Sequence, residues 1–183
     1  MLLITGANGF VMSNLALYWL ENDPGARVVL TDVWPLDDLM ARFIALFRDP
    51  VVALTGDVTD PTWWSSCPAL ATATHIAHGA AVTPGVGDRE KELAHATTTV
   101  NIMGTVNALE CARGRPGLVR FLHVSTGSVY GDDGPDGPLP EDGWEQRSPR
   151  TLYAITKRAG ELLAARYRQI FGVPVVTVRL ASV

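Results

Sequence analysis

Residues 1–17 read MLLITGANGFVMSNLAL. Leu2–Thr5 is a short apolar run, TGANG follows, and a helical pattern begins at Phe10. A strand that ends in a glycine turn and opens a helix is the start of a βαβ unit able to hold a dinucleotide pyrophosphate. Gly6 is placed to make the tight turn, and Gly9 to let the backbone approach the phosphates. The helix beginning at Phe10 would aim its free N–H groups and positive dipole end at them. Asn8, Phe10 and Val11 complete the expected cofactor-binding loop. A pair of glycines recurs by chance in many turns; its place between strand and helix gives it weight. The third glycine of a G-x-x-G-x-x-G loop is replaced by Met12. Its side chain either overpacks the loop, at about 1–3 kcal/mol, or turns into the helix–sheet core as a flexible filler.

Outward from this stretch, short apolar runs alternate with longer helical patterns. Strands are expected at Leu2–Thr5, Arg27–Thr31, Val51–Thr55, His75–His78, Val119–Ser125 and Val173–Arg179. They are rich in Val, Leu and Ile without strict alternation, as parallel strands covered on both faces are. Helices are expected at Phe10–Glu21, Leu36–Phe47, weakly at Pro61–Ala69, at Arg89–Arg113 and at Thr151–Phe171. In the last, Leu152, Ile155, Ala159, Leu162, Leu163 and Ile170 form an apolar stripe at helical spacing. This alternation predicts an α/β fold: a doubly wound parallel sheet of Rossmann type, strand order 3-2-1-4-5-6, as one domain over 1–183. Residues 131–150, GDDGPDGPLPEDGWEQRSPR, hold six acids against two arginines and no period. They read as a mobile loop, either a lid on the ligand side of the sheet or a solvated connector.

Composition narrows the function. The 183 residues are 47% hydrophobic and 19% charged, with a net charge of −4. That balance makes no electrostatic case for nucleic acid or an anionic membrane. Cys67 and Cys111 lack metal or redox spacing and read as buried thiols of a reducing compartment. His75 and His78, three apart on a strand, point to opposite faces and cannot share a metal, so none is expected. Without a targeting segment or a long apolar run, the chain is expected to be soluble and cytoplasmic.

Two further groups carry chemistry. Asp32, ending the second strand in VVLTD, can accept hydrogen bonds from the adenosine ribose and would repel a 2′-phosphate, which favours NAD over NADP. Asp57 and Val58, in GDVTD after the third strand, are placed to meet the adenine edge. Tyr153 and Lys157, in TLYAITK, lie four apart on one helix face. A lysine beside a phenol is expected to lower the tyrosine pKa toward the working range, each unit requiring about 1.4 kcal/mol. Such a tyrosine can exchange a proton with an alcohol or carbonyl as hydride moves. VSTGSVYG places the Ser125, Thr126 and Ser128 hydroxyls at the edge of the fifth strand, one loop before Tyr153.

Taken in order, TGANGF, Asp32, GDVTD, HGAA, NIMGT, VSTGSVYG, YAITK and VRLASV resemble the extended short-chain dehydrogenase/reductase superfamily, the NAD-dependent epimerase/dehydratase family. The resemblance covers essentially the whole chain. It implies Thr126, Tyr153 and Lys157 as catalytic residues, with Tyr153 the acid/base and Thr126 hydrogen-bonding the reacting oxygen. Lys157 would bind the nicotinamide ribose and tune Tyr153. It places Asn101, Ala80 and Ala81 along the cofactor and Ser182 near its nicotinamide end. It also implies a sugar or nucleotide-sugar substrate and a homodimer through the two long helices.

Departures bear on activity. The family's dehydratases follow the catalytic Thr with an Asp-Glu pair or a Glu, whereas here Gly127 and Ser128 follow. Dehydration by that route is not expected; hydride transfer as an oxidoreductase or epimerase remains. Family members continue for roughly another hundred residues past VRLASV, so the C-terminal substrate-binding part is expected to be missing. The alternative is a non-catalytic dinucleotide-binding or interaction module.

Overall fold

The structure is a computed structural model and describes residues 1–47, 51–66, 68–84, 87–131, 140–142 and 148–181. Six strands form one parallel sheet: β1 (Leu2–Thr5), β2 (Val28–Asp32), β3 (Val51–Thr55), β4 (His75–His78), β5 (Arg120–Thr126) and β6 (Val175–Leu180). Their spatial order is β3-β2-β1-β4-β5-β6, the expected doubly wound arrangement. The register places Thr5 beside both Thr31 and His78, so the ends of β1, β2 and β4 meet at one edge. The order reverses between β1 and β4, which opens a crevice there, beyond the carboxyl ends of the strands.

Helices close both faces. The helix α1 (Phe10–Asn22) and α2 (Asp38–Ile44) pack with the side of the sheet carrying Leu2, Ile4, Val28, Leu30 and Ala77. The opposite side carries Leu3, Val29, Ile76 and Phe121, and packs with α7 (Gly104–Arg113) and α8 (Leu152–Phe171). Every residue of β1 is buried, which explains its uninterrupted apolar run. Asp37 caps α2 by accepting the Met40 N–H at 2.8 Å. Thr151 caps α8 by accepting from Ala154 N–H, and Gly172, at φ 70°, ends it in the left-handed conformation glycine tolerates.

Two expectations about helices change, and a third helix shows which way its stripe faces. Pro61–Ala69 resolves into α3 (Pro61–Ser66) and α4 (Pro68–Ala71), with Cys67 outside the described residues. Arg89–Arg113 is not one helix. It begins as α5 (Asp88–Glu92), breaks at Leu93, continues as α6 (Ala94–Thr98), widens into a π turn (Thr99–Met103) and then becomes α7. The stripe on α8 is split: Leu163 packs against the core beneath the sheet, and three of its residues turn outward. Ile155, Leu162 and Ile170 are 47%, 56% and 48% exposed, while the buried face is Ala154, Thr156, Lys157, Gly160, Glu161 and Ala164. The physical reason is proximity: a Cβ at Gly160 would stand 2.9 Å from His123 Nε2, so the inward face must be small. Helical spacing finds an apolar stripe but not the direction it faces.

His75 and His78 do point to opposite sides. His75 meets the Trp19 ring of α1, whereas His78 lies between Thr5 Oγ1 at 2.9 Å and Thr105 Oγ1 at 3.2 Å. Among the described residues there is no cluster of three or more His, Cys, Asp or Glu side chains able to hold a metal. No described helix is long and apolar enough to cross a membrane. Cys111 is half-buried, and burial pushes its thiol up to about 11. Of the acidic segment 131–150, only 131, 140–142 and 148–150 are described, so the loop expected there lies largely outside the described residues.

Candidate active site

Two connected hollows line the strand ends. The first, about 180 Å³, brings together Gly6, Asp32, Asp57, Val58, Ala80 and Ala81. The second, about 330 Å³, is bordered by the Gly9–Val11 turn on one side and by Thr126, Tyr153 and Lys157 on the other. Gly6 and Ala81 border both hollows, so they form one groove across the point where the strand order reverses. A larger depression of about 590 Å³ lies between α3 and α7, but its polar side chains are engaged: Asn107 with the Val58 and Thr59 carbonyls, Arg115 with that of Leu70.

The glycine turn fits a dinucleotide. Gly6 has φ 74°, and a Cβ on it would lie 2.8 Å from the Ala80 backbone, so both conformation and space demand glycine. Gly9 is the N-cap of α1 and carries no capping side chain. The first helical bond runs from Ser13 N–H to Gly9 O, leaving the N–H groups of Phe10, Val11 and Met12 without helical partners at the groove. Asp32 is held by two backbone donors, Asn8 N–H on Oδ2 at 3.0 Å and Trp34 N–H on Oδ1 at 3.3 Å. Each oxygen retains a lone pair for a ribose hydroxyl. Asp57 closes its own turn, accepting from the Thr59 N–H and Oγ1, while bordering the first hollow.

Two residues expected to bind cofactor spend their side chains on the protein's own groups. Asn8 borders neither hollow. Its N–H fixes Asp32, its Nδ2 donates to the Pro35 carbonyl and its Oδ1 accepts from Asp37 N–H. Asn101 is buried in the π turn, and all its polar atoms are used: Val82 N–H donates to Oδ1, and Nδ2 donates to the Val82 carbonyl and Thr156 Oγ1. It holds the 80–82 segment against the groove. The π turn permits this, since the extra residue swings Asn101 out of the regular helical ladder.

Met12 takes one of the two placements open to it. It is 3% exposed and belongs to the core cluster with Ile4, Ala16, Ala77 and Val124. Of the two outcomes open from sequence, the core filler is the one observed. Its Sδ and Cγ fill the space that a side chain on Gly79 would need.

At the other end of the groove, Tyr153 shares the lining of the second hollow with Thr83 and Thr126. Thr126 Oγ1 also accepts from Ser128 N–H at 3.2 Å. Lys157 is buried, donates from Nζ to the Val124 carbonyl at 2.8 Å and lies 5.9 Å from the centre of the Tyr153 ring. The electrostatics differ from the expectation. Burial raises the Tyr153 phenol above its ordinary 10.0, although the Thr83 and Thr126 hydrogen bonds pull it down. Burial also lowers Lys157 to about 8. Desolvation disfavours both charged forms, so spacing alone misjudged the sign at Tyr153. Thr83 was not found from sequence: a threonine in an irregular segment carries no periodic signal, and only its place two residues past HGAA hinted at it. Ser182 lies outside the described residues.

A strand-end groove with a glycine turn, a carboxylate at the end of β2 and a paired tyrosine and lysine defines the dinucleotide-dependent class of doubly wound α/β domains. The chain belongs to the NAD dependent epimerase/dehydratase family, whose model matches residues 2–183. It is 34% identical over 191 residues to a dTDP-glucose 4,6-dehydratase of Streptomyces niveus, covering 99% of this chain and 53% of that protein. It is 31% identical over 183 residues to UDP-glucuronate 4-epimerase 6 of Arabidopsis thaliana, covering 99% of this chain and 39% of that one. Among solved structures, the UDP-glucuronic acid 4-epimerase of Bacillus cereus in complex with NAD superposes with a TM-score of 0.79 at 30% identity, covering 99% of this chain and 56% of that one. The chain thus spans about half the length, or less, of the relatives it matches.

Proposed function

We propose that this chain binds NAD and supplies the proton-transfer residues of an epimerase or dehydrogenase acting on a sugar or nucleotide-sugar. The observation that carries the reading is the convergence of Tyr153, Thr126 and Lys157 at one end of the groove whose other end holds Gly6 and Asp32. Gly6, Gly9 and the α1 N-terminus would hold the pyrophosphate, and Asp32 the adenosine ribose, its charge disfavouring NADP. The nicotinamide, when bound, accepts or returns a hydride.

The protein's own part is acid–base chemistry. Tyr153 takes the proton of a substrate hydroxyl or gives it back to a carbonyl, with Thr126 hydrogen-bonding the same oxygen. Lys157, fixed on the Val124 carbonyl, holds the nicotinamide ribose and offsets the cost of a phenolate. Thr126 is followed by Gly127 and Ser128, with no carboxyl group to expel water, which supports hydride transfer or epimerisation over dehydration. The outward apolar stripe of α8, Ile155, Leu162 and Ile170, supports a homodimer.

The test is NADH binding by calorimetry, followed by turnover on a panel of UDP- and dTDP-sugars. Tyr153→Phe should keep NADH affinity and lose about 10²–10⁴-fold in rate. Absence of NADH binding, or turnover indifferent to Tyr153→Phe, sinks the reading. Tight binding without any turnover would favour a non-catalytic module. Sedimentation analysis decides the dimer, which a monomer insensitive to Leu162→Glu would reject.

A further inference from the structure

Met12 stands where the loop pattern asks for glycine, and Gly79 stands directly opposite at the end of β4. The Met12 thioether occupies the volume of the absent Gly79 side chain, and the same methyl position on Gly79 would also come within 3.3 Å of the Thr5 carbonyl oxygen. Both residues border the larger hollow. On its other sides Met12 belongs to the packed cluster of Ile4, Ala16, Ala77 and Val124. We propose that Met12 and Gly79 are a compensating pair that sets the depth of the dinucleotide groove, with Gly79 the positioning residue that lets the Met12 side chain lie below the cofactor path. The proposal rests on the NAD-binding reading above.

The argument is one of available space. Glycine at the third loop position normally lets the helix pack closely on the strand. A methionine there must send its side chain somewhere. Most of the core side is filled, and close-packed interiors do not yield. The groove side is open. Without side-chain volume at residue 79, that side of the core has room for the thioether, which leaves the groove clear. A methyl group added at residue 79 meets the flexible end of Met12, which then moves toward the open side. The backbone fold survives such a shift, but the pyrophosphate site is narrowed.

The experiment compares the unmodified chain with Gly79→Ala, Met12→Ala and the double variant, reading NADH affinity and melting temperature. Gly79→Ala should weaken NADH binding by about tenfold or more in the Met12 chain and by less than about threefold in the Met12→Ala chain. Its effect on affinity should exceed its effect on melting temperature, which a purely structural role would not produce. Equal losses of affinity in both backgrounds, or none in either, overturn the proposal. If Gly79→Ala folds only when combined with Met12→Ala, the compensation is supported; if it folds in neither background, it is rejected. Should the unmodified chain bind no NADH, the functional reading fails by itself. The pair is then judged on melting temperature: a drop confined to the Met12 background supports it, and equal drops overturn it.

Discussion

Asn101 grips both backbone groups of Val82, the N–H at 2.8 Å through Oδ1 and the carbonyl at 3.1 Å through Nδ2. These two bonds pin the irregular segment after β4 to the π turn. The third bond, from Nδ2 to Thr156 Oγ1 at 3.0 Å, ties the same point to α8 three residues from Tyr153. One side chain therefore links the 80–82 segment to the helix that carries Tyr153.

Asn101→Ala should cost about 1–3 kcal/mol by leaving buried partners unsatisfied, or about 2–4 °C of melting temperature per kcal/mol for a chain of this size. NADH affinity should fall as well, because the 80–82 segment loosens. Thermal melts and calorimetry on the same samples check it; a lower melting temperature with unchanged affinity would confine Asn101 to stability.

Thr83→Val should raise the Tyr153 pKa further, since the Thr83 hydrogen bond opposes the upward push of burial. Phenolate absorbance followed against pH, with Tyr153→Phe subtracted to isolate the signal, measures the shift. Unaltered titration would remove Thr83 from the tyrosine's environment.

Acid should destabilise the fold through two buried histidines. Burial, with Lys157 nearby, lowers His123 from 6.5 to about 3; burial, with His123 and Lys157 nearby, lowers His78 well below 6.5. Folded-state values below the unfolded ones mean that the unfolded chain binds more protons below pH 6.5. Their stabilising contribution is therefore present above 6.5 and is lost as pH falls toward 3. Each can contribute a slope of at most about 1.4 kcal/mol per pH unit. His123→Leu should flatten the acid limb of a denaturant-derived stability profile; a parallel profile would assign the acid sensitivity elsewhere.

The Glu161–Arg179 pair joins α8 to β6, with Nη2 2.8 Å from Oε2 and the Glu161 side chain 5% exposed. Arg179→Met strands that carboxylate and should cost about 3–5 kcal/mol. The double variant Glu161→Leu with Arg179→Met should be closer to the unmodified chain than Arg179→Met alone. Chemical denaturation of the set decides it, and additive losses would mean that the pair does not act as a unit.

Much of this protein was legible from local spacing. β1, β3 and β4 fall at the expected residues, and β2, β5 and β6 within two residues of the expected limits. Gly6, Gly9 and Asp32 were readable because a strand–glycine–helix turn and a strand-end carboxylate are local patterns. Tyr153 and Lys157 were readable because four residues on a helix share a face. Tertiary structure decided what depends on approach between distant segments. It set the side of α8 that turns inward, because His123 stands where Gly160 must pass. It placed Asn101 on Val82 and Thr83 on Tyr153, contacts across elements that no period encodes. It reversed the expected direction of the Tyr153 pKa, because burial is a property of the packed interior rather than of a heptapeptide. It also settled where Met12 goes: into the core, with its thioether against Gly79, which has no side chain.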